Sequence, residues 1–185
     1  MKYDIIYADP PWDYKGQTQF MNEKVTSAAD MHYNHLSLQD LKNLNIKEIS
    51  ADNCPLFMWT SSPHLDQAID LLKSWGFAYA TIAFVWDKQA INPGYYTLSQ
   101  CEICIVGKKG TIPQPRGARN IRQFLSEKRG EHSAKPTEIR NRIAQMFPTQ
   151  NKIELFARTQ QEGWHVWDNE APNPVAIDLQ GEVHE

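Results

Sequence analysis

Five stretches of the chain are apolar with little or no alternation: residues 5–8, 56–59, 81–86, 101–106 and 152–157. An unbroken apolar run of this length is the pattern of a strand buried on both faces. Segments of helical period lie between them. Ser37 with Asp40 forms a capping box, and Leu38, Leu41 and Leu44 then share one face. Ser62 can cap a second helix with Pro63 at its first position, carrying Leu65, Ala68, Ile69 and Leu72 on one side and ending at Gly76. Pro136 opens a third, with Ile139, Ile143, Met146 and Phe147 in line and Pro148 after it. Asn92-Pro93-Gly94 reads as a turn, residues 121–125 as one helical turn, and the chain from Trp164 onward as a fraying end. Residues 13–33 are polar, glycine-bearing and without period, too long for a mere connection, so His32 and Tyr33 there either reach a substrate or pack the loop down. Buried strands alternating with amphipathic helices predict one α/β domain, a mostly parallel sheet with helices on both faces. It spans residues 1–170, with an acidic tail over 171–185 that is expected to be mobile.

The first run ends on candidate chemistry. Asp9 stands at the carboxyl end of its strand, where open α/β sheets bind their ligands. Pro10 and Pro11 stop the hydrogen-bond ladder and stiffen the turn, and Trp12 adds a flat apolar surface with one donor. A fixed carboxylate beside the Pro10 carbonyl suits the exocyclic amine of adenine, a poor nucleophile whose lone pair is delocalised into the ring. Two acceptors can hold both amine hydrogens, and the carboxylate meets the positive charge that develops on the nitrogen during methyl transfer. Trp12 is placed to stack on a base taken out of its helix, the alternative being a core tryptophan with Asp9 capping a backbone.

Composition narrows the class. The 185 residues are 41% apolar and 22% charged, as in soluble globular domains. No apolar run approaches the ~20 residues of a membrane span. The N-terminus lacks a secretion signal, so a cytoplasmic location without membrane contact is the expectation. Cys101 and Cys104 have C-x-x-C spacing, yet lie on a strand, where residues three apart face opposite ways. They are read as core thiols, and no metal is expected. Net charge is −3, but its distribution is uneven. From Lys108 to Arg142 ten basic residues face only Glu127, Glu131 and Glu138, a net of +7. Such asymmetry marks a surface that meets phosphates, with Lys108, Lys109, Arg116, Arg119, Arg122, Lys128 and Arg129 as its candidates; the alternative is a solvated basic loop.

Several motifs together resemble the adenine-N6 methyltransferases typified by the catalytic subunit of the messenger-RNA adenosine methyltransferase. They are Asp9-Pro10-Pro11-Trp12, Leu56 to Thr60, Trp75-Gly76-Phe77, Val85 to Lys88, Glu102 to Gly107, His132 to Pro136, Glu154 to Arg158, and Gly163-Trp164 with Trp167 to Glu170. Their joint order covers roughly residues 3 to 170. The resemblance implies a Rossmann-like fold that transfers methyl from S-adenosylmethionine to adenine, its catalytic motif N-terminal and its cofactor strand C-terminal. It implies Asp9, Pro10, Pro11 and Trp12 as catalytic, with Asp9 also near the cofactor. Lys135 matches a lysine at the methionine part, and Arg158 an arginine beside the ribose, with Glu154 and Phe156 on the same strand. Gln160, Asn169 and Glu170 match further cofactor positions. The chain departs from the general dinucleotide signature, having no Gly-rich loop after a strand. It also begins two residues before the catalytic strand, so the adenine of the cofactor is expected to be held by residues other than those of a preceding segment.

Residues 9 and 12 separate competing chemistries. Cytosine amino methylation usually shows Ser at the first position, and glutamine methylation Asn, each followed by Tyr at the fourth; Asp9 and Trp12 favour adenine. DNA is the expected substrate because the chain is compact and lacks accessory RNA-binding modules. RNA adenosine is the alternative, as is a catalytically inactive nucleic-acid-binding subunit. A homodimer or a related partner subunit is compatible with the chain. Lys135 as a surface lysine and Arg158 as a partner of Glu154 stand as structural alternatives.

Overall fold

The computed structural model describes residues 1–12, 36–94, 96–130, 134–157 and 159–167. They build one seven-stranded sheet: β1 (Ile5–Ala8), β2 (Cys54–Thr60), β3 (Ala78–Asn92), β4 (Ser99–Lys109), β5 (Phe124–Ser126), β6 (Lys152–Leu155) and β7 (His165–Trp167), in the order β5-β3-β4-β2-β1-β6-β7. Pairings are parallel except those that β4 makes with β2 and β3. The sheet is therefore mostly parallel, as the pattern predicts.

Two cores explain why the inner strands are apolar at every position. Ile6, Ala8, Leu56, Met58, Ile153 and Leu155 point to one face and meet Leu41, Leu44, Ile46, Ile49, Ala68, Leu71 and Leu72. Those residues come from α1 (Leu38–Asn43), α2 (Ile46–Ile49) and α3 (Leu65–Ser74) and their ends. Ile5, Tyr7, Phe57 and Trp59 point the other way, with Phe84, Trp86 and Cys104, and meet Ile139 and Ile143 of α4 (Thr137–Met146). Successive side chains on a strand alternate faces, so a strand covered on both sides must be apolar throughout.

Local signals mostly act as expected. Ser37 accepts from the Asp40 backbone N–H at 3.1 Å while its own N–H reaches the Asp40 carboxylate at 2.9 Å, which closes the box. The entry to α3 differs: Ser62 lies inside a 3-10 turn, Ser62–His64, whose N-cap is Ser61. Gly76 ends α3 with φ +88°, a conformation glycine adopts without strain. Residues 121–125 do not form a helical turn, because Phe124–Ser126 instead pairs with β3 and satisfies its open edge. Residues 164–167 do not fray, because β7 pairs with β6, and Trp164 and Trp167 are buried; the acidic tail beyond them lies outside the described residues. β3 and β4 are longer than their apolar runs and form an antiparallel hairpin, their polar ends extending past the core. His32 and Tyr33 lie outside the described residues. Among the described residues, no helix is long and apolar enough to cross a membrane.

Candidate active site

β1 lies between β2 and β6 and is parallel to both. The crossover to β2 carries α1 and α2 on one face, whereas α4 leads into β6 on the other. The carboxyl end of β1 is thus where crossovers diverge, leaving the crevice in which such sheets bind ligands. Asp9 stands there.

Its carboxylate is held. Lys135 Nζ, just ahead of α4, lies 3.1 Å from Asp9 Oδ1 and 3.0 Å from Glu102 Oε2. Glu102 Oε1 also accepts from Lys88 Nζ at 3.2 Å. Two carboxylates and two ammonium groups thereby form a neutral chain across β1, β4, β3 and the α4 entry. Burial alone would lower the Lys135 pKa, but Asp9 and Glu102 outweigh it and hold it above the ordinary lysine range. Burial pushes Glu102 up, yet Lys135 and Lys88 bring it below the usual carboxylate range. Glu102 and Lys135 are therefore both charged at neutral pH. Lys135 also lies over the Trp59 ring, 5.8 Å from its centroid.

The turn after Asp9 is fastened from beneath. Trp12 is buried, donates from Nε1 to the Trp59 carbonyl at 3.0 Å, and stacks against His64 with ring centroids 6.0 Å apart. Its indole face is taken by the core in this arrangement, so the structure gives it the work of anchoring the Pro10-Pro11 turn rather than that of an open platform for a base. Pro10 is buried and Pro11 half-buried.

On β6, Glu154 points under α4, where Arg140 grips it with Nε 2.7 Å from Oε2 and Nη2 2.9 Å from Oε1. Among the described residues, the partner of Glu154 is Arg140. Burial pushes the Glu154 carboxyl up to about 7, Arg140 opposing and Asp9 adding to the rise. Phe156 follows with φ +61°, a left-handed conformation that costs a bulky residue about 1 kcal/mol or more. Edge-to-face contact with Trp167 at 5.4 Å and the Ala157 N–H on the Trp167 carbonyl hold it.

With that geometry in place, likeness to known proteins becomes informative. The model of the MT-A70 family matches residues 3–170. The chain belongs to the MT-A70 family. It is 49% identical over 197 residues to the type II methyltransferase M.MunI of a Mycoplasma species, covering 100% of this chain and 84% of that protein. It is 27% identical over 179 residues to the human N(6)-adenosine-methyltransferase catalytic subunit METTL3, and 26% over 187 residues to the MT-A70-like N(6)-adenosine-methyltransferase of Drosophila melanogaster. The chain spans only 28% of each of these two. An MT-A70 chain is an adenine methyltransferase that uses S-adenosylmethionine, and the donor set fits that cofactor. An ammonium has three donors, and Asp9 and Glu102 take two of those on Lys135, leaving one for the carboxylate of the methionine part.

Not every expected MT-A70 site residue gathers at Asp9. Gln160 lines a cavity of about 360 Å³ with Gln150, Asn151, Lys152 and His165. That cavity sits at the starts of β6 and β7, the edge opposite Asp9, because the loop after β6 must return there before β7 can run parallel. Arg158, Asn169 and Glu170 lie outside the described residues. Residues that sequence reasoning left out are Glu102, Lys88 and Arg140. The signal for Glu102 was a carboxylate inside an apolar strand, a costly placement unless paired.

The +7 region is not one surface. Lys109 opposes Cys54 and binds Ser50, so Lys108 and Lys109 stand at the edge opposite Asp9. Arg116 covers the Phe147 ring beyond the end of α4, also at that edge. Arg119 and Arg122 are exposed along the flank. Lys135, Arg140 and Arg142 are committed to internal pairs. Lys128 and Arg129 are exposed on the side of Asp9, fixed by the Arg129 N–H on the Lys88 carbonyl. The segment crosses the sheet end to end, which divides its charges between two edges.

Proposed function

We propose that this chain methylates N6 of adenine in DNA, with Asp9 as the group that holds and activates the amine. The observation that carries the reading is the Asp9–Lys135–Glu102 cluster at the carboxyl end of β1. Lys135 Nζ, 3.1 Å from Asp9 Oδ1, is a fixed positive charge that favours the charged carboxylate at the head of the crevice. The Asp9 carboxylate and the Pro10 carbonyl accept the two amine hydrogens of adenine, turning the nitrogen lone pair out of the ring plane. When bound, S-adenosylmethionine supplies an electrophilic methyl group on a sulfonium. As the nitrogen–carbon bond forms and the carbon–sulfur bond breaks, the Asp9 carboxylate stabilises the cationic nitrogen. One amine proton then leaves through Asp9 to solvent. Buried Trp12 and Pro10 keep the two acceptors fixed, so little reorganisation accompanies the charge change.

Several further residues belong to this reading. Lys135 holds the carboxylate of the cofactor, and Glu154, Phe156, Arg158, Asn169 and Glu170 serve the same ligand. Lys128 and Arg129 contact phosphates from the Asp9 side. What supports DNA is the 49% identity to a type II methyltransferase of similar length, against 26–27% to far longer N(6)-adenosine-methyltransferases. A cytoplasmic location, a single working domain and assembly with a second copy or a related subunit complete the proposal. The test is transfer from labelled S-adenosylmethionine to matched duplex DNA, single-stranded DNA and RNA, followed by digestion to nucleosides and mass spectrometry. N6-methyladenine with DNA preferred is the expected product. Methylcytosine, or preference for RNA, overturns the assignment.

A further inference from the structure

The hairpin joining β3 to β4 carries the most conspicuous apolar exposure outside the site. Tyr96 is 101% exposed, Leu98 67% and Ile91 61%, all within eight residues of one another. From Gln89 to Cys101 the chain has no charged residue. The turn is tight: a Cβ on Gly94 would lie 2.4 Å from the Thr97 carbonyl oxygen, so glycine is required, and Pro93 precedes it. The base of the hairpin is Lys88 and Glu102, members of the cluster that holds Asp9. Asn92 pairs with Ser99, and a strand advances about 3.3 Å per residue, so the tip begins roughly 10 Å beyond Glu102 on the side of Asp9. The exposed cations Lys128 and Arg129 run beside that base.

We propose that this hairpin is an apolar wedge that enters a nucleic-acid duplex at the adenine being extruded, with Tyr96 filling the gap left in the base stack. An adenine inside a duplex cannot reach a carboxylate at a sheet edge, so it must leave the stack, and apolar side chains between base steps stabilise that opened state. A flat uncharged ring costs far less to desolvate against bases than a charged side chain and is not repelled by phosphates. Leu98 and Ile91 face the sugars on either side, and Lys128 and Arg129 meet the backbone. A second copy of the chain is the less fitting occupant. A stable partner interface covers about 800 Å² per side. One exposed aromatic of roughly 150–250 Å² with two smaller, partly exposed aliphatic side chains falls short of that.

The inference rests on methylation of duplex DNA, so the test separates the two. Wild type and Tyr96→Ala are compared on matched duplex, on the same duplex with an abasic site opposite the target adenine, and on single-stranded DNA. Tyr96 is fully exposed, so its loss leaves the melting temperature unchanged. The expected result is a fall of at least tenfold in kcat/KM on matched duplex, less than threefold on the other two, and recovery in Tyr96→Phe. Equal losses on all three substrates overturn the wedge while leaving the methyltransferase intact. A wild type inactive on every DNA overturns the activity reading and the wedge with it. A lighter sedimenting species for Tyr96→Ala than for wild type assigns the hairpin to contact between copies and also overturns the wedge.

Discussion

Replacing Glu102 with Gln tests whether the four-residue ionic chain holds the site together. The Glu102 side chain is 16% exposed and joins Lys135, 16% exposed, to Lys88, 6% exposed. Neutralising it leaves Lys135 paired with Asp9 alone and takes from Lys88 its carboxylate partner. Breaking a buried pair by removing one charge costs about 3–5 kcal/mol. Glutamine keeps the shape and one acceptor, and the pair is not fully buried, which reduces the cost to about 2–3 kcal/mol. In a chain of this size each kcal/mol moves Tm by about 2–4 °C. The expected drop at pH 7.5 is therefore about 5–10 °C. Thermal unfolding of wild type, Glu102→Gln, Lys88→Met and the double variant measures it and gives the coupling between Lys88 and Glu102. The effect also has a pH signature. The folded-state pKa of Glu102 lies below its ordinary value of 4.5, so its stabilisation is complete above that value and is lost as pH falls through the folded pKa. The gap between wild type and Glu102→Gln should narrow below pH 4.5. A Tm drop under about 2 °C, or no coupling to Lys88, refutes the reasoning.

Three other outcomes follow from the same geometry. Asp9→Ala should lower the rate of methyl transfer by ~10²–10³ while the fold persists, because Lys135 keeps Glu102 as partner; near-normal turnover removes Asp9 from the chemistry. Glu154, lifted to about 7, disfavours its charged form in the fold, so it costs stability as pH rises from 4.5 toward 7. Glu154→Gln lacks that cost, and its stability relative to wild type should improve from pH 5 to pH 8; a flat difference in unfolding free energy contradicts the shift. Gly107→Ala would place a Cβ 2.6 Å from a Leu72 methyl carbon, so overpacking of α3 on β4 should cost about 1–3 kcal/mol, read by denaturant titration. An unchanged midpoint shows that Leu72 simply turns aside.

The sequence by itself determined the elements whose side chains agree with their neighbours along the chain. Five apolar runs became strands, and Ser37, Gly76 and the turn at Pro93-Gly94 marked where elements stop, because caps and turns are decided by residues a few positions apart. Asp9-Pro10-Pro11-Trp12 announced a site at a strand end for the same reason. Only the tertiary structure decided what the site is made of. Glu102, Lys88 and Lys135 come from three separate stretches, and nothing local to any of them says that their charges share one cluster. Residues 121–125 and the chain after Trp164 lack enough period to announce strands, and become β5 and β7 because β3 and β6 offer edges that need hydrogen bonds. The basic stretch was legible as a charge and misleading as a surface. A count along the chain has no direction, and this segment runs from one end of the sheet to the other, so the fold places some of its cations beside Asp9 and the rest at the opposite edge.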